Sequence, residues 1–166
     1  MLQAAQRAVL TTSSPEELRW TSSKNIHLTI KFLGDVAPAK VGTLSVALRE
    51  VARRHEAFDV GLDHLGAFPS RGKARVVWFG VGAGEEEVHS LAADVEDALH
   101  SLGFPGDGRP FSPHVTMART RGRQVALEDE GPADVPHFRS SRLELVESTL
   151  SSRGSTYASV ASYPLA

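Results

Sequence analysis

Apolar positions recur at helical spacing in two stretches of the chain and at strand spacing in much of the rest. Val41, Leu44, Leu48 and Val51 form one helical stripe, and Val88, Leu91, Val95 and Leu99 form a second. Pro38 opens the first helix, which is predicted to run to about His55. Glu85, Glu86 and Glu87 put negative charge at the start of the second, where the helix dipole favours it, and Gly103 stops it. Strands are predicted around Trp20, from His27 to about Gly34, near 58–68 and near 75–81, the last two joined by the turn Pro69-Ser70-Arg71-Gly72. A further strand runs through His114, and two closing strands cover about 138–150 and 155–164, with a turn near Gly154. Residues 1–10 read as helical, Thr11 to Glu17 as a polar loop and Gly103 to Arg109 as a glycine-rich loop. The charged, proline-containing stretch 122–136 reads as a surface excursion. Hairpins outnumber strand–helix–strand crossovers, so the expected class is α+β with antiparallel sheets.

One alternating pattern occurs twice. His27-Leu28-Thr29-Ile30 and His114-Val115-Thr116-Met117 each place a histidine two residues before a threonine, with apolar residues between and after. Alternation points residues i and i+2 to one side of a strand, so each His shares a side with its own Thr. Both copies follow a turn-prone lead-in, Ser22-Ser23-Lys24-Asn25 and Phe111-Ser112-Pro113. With seven histidines in 166 residues, chance alone gives fewer than one His-x-Thr pair. Two imidazoles and two hydroxyls brought together across a cleft would suit metal-free acid–base chemistry on a phosphate ester. The bland reading is two amphipathic strands carrying ordinary histidines, with threonine present as a good strand former.

Composition narrows the field. At this length one domain with a substantial core is the simplest organisation. A formal charge of −2 and a pI near 6.4 do not fit a protein that wraps long nucleic acid, yet leave room for recognising one terminal nucleotide. There is no cysteine, which removes disulfides, thiolate metal sites and a cysteine nucleophile. No run is long and apolar enough for a membrane span, and the first residues lack a signal-peptide core. A cytoplasmic protein is expected.

Four blocks carry a resemblance to a known family. They are Asn25-Ile26-His27-Leu28-Thr29-Ile30-Lys31-Phe32-Leu33-Gly34-Asp35-Val36, Arg75-Val76-Val77-Trp78-Phe79-Gly80-Val81, Phe111-Ser112-Pro113-His114-Val115-Thr116-Met117-Ala118-Arg119, and a tail of Leu145-Val146-Glu147-Ser148-Thr149-Leu150 with Gly154, Tyr157 and Pro164-Leu165. In this order and spacing the chain resembles the two-histidine phosphoesterase superfamily, and within it the LigT-like RNA 2′,3′-cyclic phosphodiesterases. The resemblance implies one domain over residues 1–166, with two pseudo-symmetric lobes of antiparallel sheet, outer helices and a central cleft. It implies His27 and His114 as catalytic residues, by analogy His27 the acid and His114 the base, and Thr29 and Thr116 as ligands of the phosphate oxygens. The implied substrate is an RNA 3′ end bearing a 2′,3′-cyclic phosphate, opened to a 2′-phosphomonoester. Reverse 2′,5′ ligation is an implied side activity. No cofactor, no metal, no membrane and no obligate protein partner are implied, and a monomer is expected.

Five residues beyond each His stands a side chain able to stack on a base, Phe32 in one copy and Arg119 in the other. The family uses these positions to sandwich the base. Strict alternation would put a +5 residue on the wrong face, so a bulge or twist is required. A core phenylalanine and a solvated arginine are the plain alternatives. Family members ordinarily open with a strand of the type Arg-Leu-Phe-Val-Ala-Leu. Here Met1 to Val9 reads as the remainder of the helix after it, so that strand is expected to be missing and its sheet edge bare or otherwise covered. His55, His64, His89, His100 and His137 share no motif, and no ligand spacing for a metal is present. The basic groups Arg71, Lys73, Arg75 and Arg119, Arg121, Arg123 could contact further phosphates or could be solvated strand ends. Two other functions stay open: a nucleotide-binding module without turnover, and a phosphodiesterase for a small cyclic nucleotide.

Overall fold

The computed structural model describes residues 18–106, 108–121, 136–151 and 154–166. The helix expected at 1–10 and nearly all of the excursion expected at 122–136 lie outside the described residues. The fold is α+β on antiparallel sheets. In chain order it comprises β1 (Leu18–Trp20), α1 (Val41–Ala52), β2 (Phe58–Phe68), β3 (Val76–Val81), α2 (Glu85–His100), β4 (His114–Thr120), β5 (His137–Ser140), β6 (Arg142–Ser151) and β7 (Gly154–Pro164). Five strands form one sheet in the order β1-β4-β3-β2-β5, and β6 pairs with β7 in a second.

Three expectations are corrected. The strand foreseen from His27 to Gly34 is reduced to a single antiparallel bridge, Leu28 to Val115. Alternation fixes which side a residue faces, not whether a second backbone lies alongside, and this segment leaves its first compact unit after Thr29. The first helix begins with a 3₁₀ turn, Pro38–Lys40, and is α-helical only over α1. The strand foreseen at about 138–150 is divided at Ser141 into β5 and β6.

The chain divides into two compact units. The first comprises residues 1–29, 59–85 and 112–138, the second 30–58, 86–111 and 139–166. In the first, alternate residues of the long strands are buried: Leu65 and Ala67 on β2, Val77, Phe79 and Val81 on β3, and Val115 and Met117 on β4, with Leu18 from β1. Each of these side chains larger than alanine contributes roughly 1.5–3 kcal/mol by leaving water. Their burial fixes the phase of every strand, and so decides which residues occupy the opposite face.

In the second unit both helical stripes are buried except for Val41, which is half-buried at the start of α1. α1 buries Leu44, Leu48, Val51 and Ala52, and α2 buries Val88, Leu91, Ala92, Val95 and Leu99. α1 lies against β6 and β7, where the Tyr163 hydroxyl donates to Ser45 Oγ at 2.8 Å. Gly103 ends α2 in the left-handed region, φ +84°, with Gly103 N–H bonded to His100 O and Phe104 N–H to Leu99 O. That pair of bonds is the Schellman stop, and it requires a residue without a Cβ penalty. Lys31, its side chain 8% exposed, bonds Glu96 at 2.6 Å and Pro105 O at 2.9 Å, anchoring the segment after the first motif.

Candidate active site

Both His-x-Thr copies belong to the first unit, and their geometry follows from one backbone pairing. The Leu28–Val115 bridge is antiparallel, which sets His27 opposite Thr116 and Thr29 opposite His114. Val115 is buried, so the four flanking side chains share the other face. An antiparallel pair has local two-fold symmetry, which puts the histidines on one diagonal and the threonines on the other. The quartet expected to meet across a cleft is thus assembled at the edge of β4.

The symmetry extends to the hydrogen bonds. His27 Nδ1–H donates to Asn25 O at 2.7 Å, and His114 Nδ1–H donates to Ser112 O at 2.8 Å. A carbonyl only accepts, so Nδ1 carries a proton in each ring and Nε2 is the atom that exchanges one. Each acceptor lies two residues before its histidine, on the turn-prone lead-in seen in the sequence. These carbonyls fix tautomer and ring orientation together.

The surroundings of the two rings differ. His27 is exposed, whereas His114 is half-buried against an aromatic wall. Its ring centroid is 5.2 Å from Phe68, edge-on, and 5.5 Å from Trp78, while Phe68 and Trp78 are 5.2 Å apart. Register explains the cluster. Phe68 opposes Val76, Gly66 opposes Trp78, Trp78 opposes Thr116 and Gly80 opposes His114, all on the face away from the core. Gly66 matters here because a Cβ at that position would run into the Trp78 ring. Trp78 Nε1 is buried without a hydrogen-bond partner among the described residues, a cost of about 1–3 kcal/mol carried at the site.

β4 contains the irregularity that the +5 spacing demands. Trp78 opposes Thr116 and Val77 opposes Ala118, so Met117 is an extra residue. Met117 and Ala118 are both buried, and Arg119 returns, exposed, to the face of His114 and Thr116. Arg19 of β1 stands directly opposite Arg119 and adds a second guanidinium to that face. Phe32 belongs to the second unit and is 83% exposed, which excludes a core role for it. The structure therefore brings together His27, Thr29, His114, Thr116 and Arg119 within one unit.

Sequence reasoning missed Arg19, His64, Phe68 and Trp78 on this face. The available signal was the phase of β2 and β3: Phe68 and His64 alternate with Leu65 and Ala67, and Trp78 with Val77 and Phe79. Without strand register that phase names no neighbour. Chemically, the face offers two oriented imidazoles for acid and base work, two hydroxyls for non-bridging oxygens, and guanidinium charge beside them. Among the described residues no group of three or more His, Cys, Asp or Glu side chains is placed to hold a metal ion.

Comparison with known proteins identifies the family and the fold. Residues 1–78 match the family model for LigT-like phosphoesterases. An RNA 2′,3′-cyclic phosphodiesterase of Aeropyrum pernix is 33% identical over 146 residues, covering 84% of this chain and 82% of the relative. One of the same name from Archaeoglobus fulgidus is 34% identical, covering 81% and 76%. Among solved structures, a Thermus thermophilus protein matches 99% of this chain and 89% of its own, with a TM-score of 0.84 at 24% identity. Escherichia coli LigT complexed with 3′-AMP matches 99% and 92%, with a TM-score of 0.79 at 24% identity. These two likenesses concern the fold. At 33% identity to the Aeropyrum relative over 84% of its length, the chain belongs to the LigT-like phosphoesterases of the two-histidine superfamily.

Proposed function

We propose that this protein hydrolyses a ribose 2′,3′-cyclic phosphate at an RNA 3′ end to a 2′-phosphomonoester, without metal, by paired histidine catalysis. The observation that carries the proposal is the mirrored quartet: two imidazoles, each with Nδ1–H held by the carbonyl two residues earlier, diagonal to two threonines. The names of the relatives and the nucleotide bound to E. coli LigT support the substrate class.

In the forward step His114 Nε2 takes a proton from water as its oxygen attacks phosphorus. The bond from phosphorus to O3′ breaks, and His27 Nε2–H gives its proton to O3′. Thr29 and Thr116 donate to the non-bridging oxygens, whose charge grows in the transition state. With a 5′ hydroxyl in place of water as the attacking group, the same step would form a 2′,5′ linkage, His114 taking the hydroxyl proton and His27 protonating O3′. Phe32 and Arg119 are proposed to hold the terminal base. On this proposal the 166 residues form one two-lobed domain that works as a monomer in the cytoplasm.

The test is incubation with a short oligonucleotide ending in a 2′,3′-cyclic phosphate, followed by mapping of the product. A 2′-phosphate is expected. Tight binding without turnover would favour a nucleotide-binding module. Turnover of cyclic mononucleotides alone would move the substrate to that class.

A further inference from the structure

Beside the quartet lies a second titratable pair that the mechanism does not use. β2 has an extra residue between Leu62 and His64: Leu62 opposes Val81 and His64 opposes Gly80, leaving Asp63 unpaired. At a bulge of this kind two successive side chains can project to one side, and Asp63 and His64 meet, His64 Nδ1–H donating to Asp63 Oδ1 at 2.6 Å. Both side chains are more than half exposed, yet the pair lies over the sheet. A Cβ on Gly80 would run into the His64 ring, nearest its Cε1 and Nε2, and a Cβ on Gly82 would run into the Asp63 carboxylate. Two glycines therefore clear the space in which the pair folds back across β3, toward β4.

That direction leads to the catalytic face. Gly80 is the residue paired with both His64 and His114, so the two histidines occupy one row across three strands. Two antiparallel pairings separate their Cα atoms by about 10 Å. Trp78 braces both rings, with centroids 5.6 Å from His64 and 5.5 Å from His114. With Nδ1 committed to Asp63, Nε2 is the ring nitrogen left to meet a ligand, it lies over Gly80 in that row, and the side chain stays 59% exposed.

We propose that His64, oriented by Asp63, binds the phosphodiester on the 5′ side of the terminal nucleotide, so that the enzyme prefers an RNA end over a free cyclic nucleotide. The proposal rests on the reaction proposed above. A phosphate held one row-length from the cyclic phosphate is what a polynucleotide has and a mononucleotide cyclic phosphate lacks. His64 binds it as the imidazolium, Nε2–H donating to a phosphate oxygen while Nδ1–H stays on Asp63, a charge-assisted bond at each end. Asp63 is a positioning residue in this arrangement, since it acts through His64.

The experiment compares a dinucleotide ending in a 2′,3′-cyclic phosphate with the corresponding mononucleoside 2′,3′-cyclic phosphate. The quantity read is the ratio of their kcat/KM values. Wild type should favour the dinucleotide, and His64→Ala should lower the ratio by about 10-fold, chiefly through KM. His64→Gln, which keeps a donor but no charge, should fall between, and Asp63→Asn should lower the ratio by less than His64→Ala. An equal loss on both substrates, with the ratio unchanged, would overturn the subsite. Equilibrium binding of the two 2′-phosphate products is measured in parallel and needs no turnover. If wild type binds the dinucleotide product tighter and His64→Ala erases the difference while no substrate is hydrolysed, the reaction is wrong and the subsite stands. If wild type hydrolyses both substrates and binds both products equally, the reaction stands and the subsite is wrong.

Discussion

An imidazole can serve as acid or as base, and what it does depends on which nitrogen is already occupied. In this protein Nδ1 of both motif histidines is held by a backbone carbonyl at 2.7 and 2.8 Å, so only Nε2 is offered to chemistry. Replacing His27 or His114 by alanine should therefore reduce turnover by ~10²- to 10⁴-fold, the usual contribution of a positioned acid or base. Steady-state kinetics on the cyclic substrate, with product binding as the control for folding, checks this. Near-wild-type turnover in either variant would end the two-histidine mechanism. Arg119 and Phe32 lead to a different expectation. If they hold the base, Arg119→Ala and Phe32→Ala should each weaken binding by ~1–3 kcal/mol while changing kcat less. An equal loss on a baseless ribose analogue would remove the sandwich. The quartet and Arg119 were legible in the sequence because a repeated pattern carries its own phase. Arg19, Phe68 and Trp78 were not, because their importance comes from neighbours on other strands.

At the level of elements, two bulges do what regular strands cannot. The extra residue Met117 in β4 moves Arg119 onto the face of His114, and the extra residue Asp63 in β2 sets two polar side chains beside each other. The sequence indicated that an irregularity was needed before Arg119, since a +5 residue otherwise falls on the core side. It held no such hint at Asp63, where nothing in the period-two pattern stands out. The segment after His27 shows the converse. Its alternation reads as a strand, yet it makes one bridge and then anchors through Lys31 to Glu96 and Pro105 O. Glycine on these strands also has an element-scale role. Gly66→Ala would force a methyl group against the Trp78 ring. Overpacking of that kind costs typically ~1–3 kcal/mol, and here it would also displace the wall behind His114. The expected outcome is a lower melting temperature together with a lower kcat. A variant that keeps both values would show that the ring relaxes freely and that Trp78 does not brace the site.

For the whole molecule, the modest charge, the absence of cysteine and the lack of a ligand cluster among the described residues all bear on conditions of activity. Turnover is expected to persist in excess chelator and without nucleoside triphosphate. Loss on chelation, restored by added metal, would overturn the metal-independent reaction. The dependence on pH needs the fold and the site considered together, because a rate falls either when a catalytic group titrates or when the protein unfolds. Asp94 on α2 bears on the second. The Arg54 guanidinium first, and then His55, hold its carboxyl below the usual aspartate range, at 3.0 Å from each partner. A depressed carboxylate pKa means stability present above the unfolded value and lost only as pH falls through the folded one. Asp94 therefore withdraws its support on the acid side of the ordinary carboxylate range, well below the region where imidazoles titrate. Asp94→Asn should flatten the acid limb of the stability profile, read as melting temperature against pH. Over that neutral region the rate should be bell-shaped, since one imidazole must be neutral and the other protonated in the same molecule. With His114 as base, the rising limb at low pH belongs to His114. With His27 as acid, the falling limb belongs to His27. The residual activity of His114→Ala should lose the rising limb, and that of His27→Ala the falling one. If the limbs are exchanged, the roles of the two histidines are reversed. A single sigmoid in wild type, over the range where the protein stays folded, would leave only one titrating group and exclude the pair.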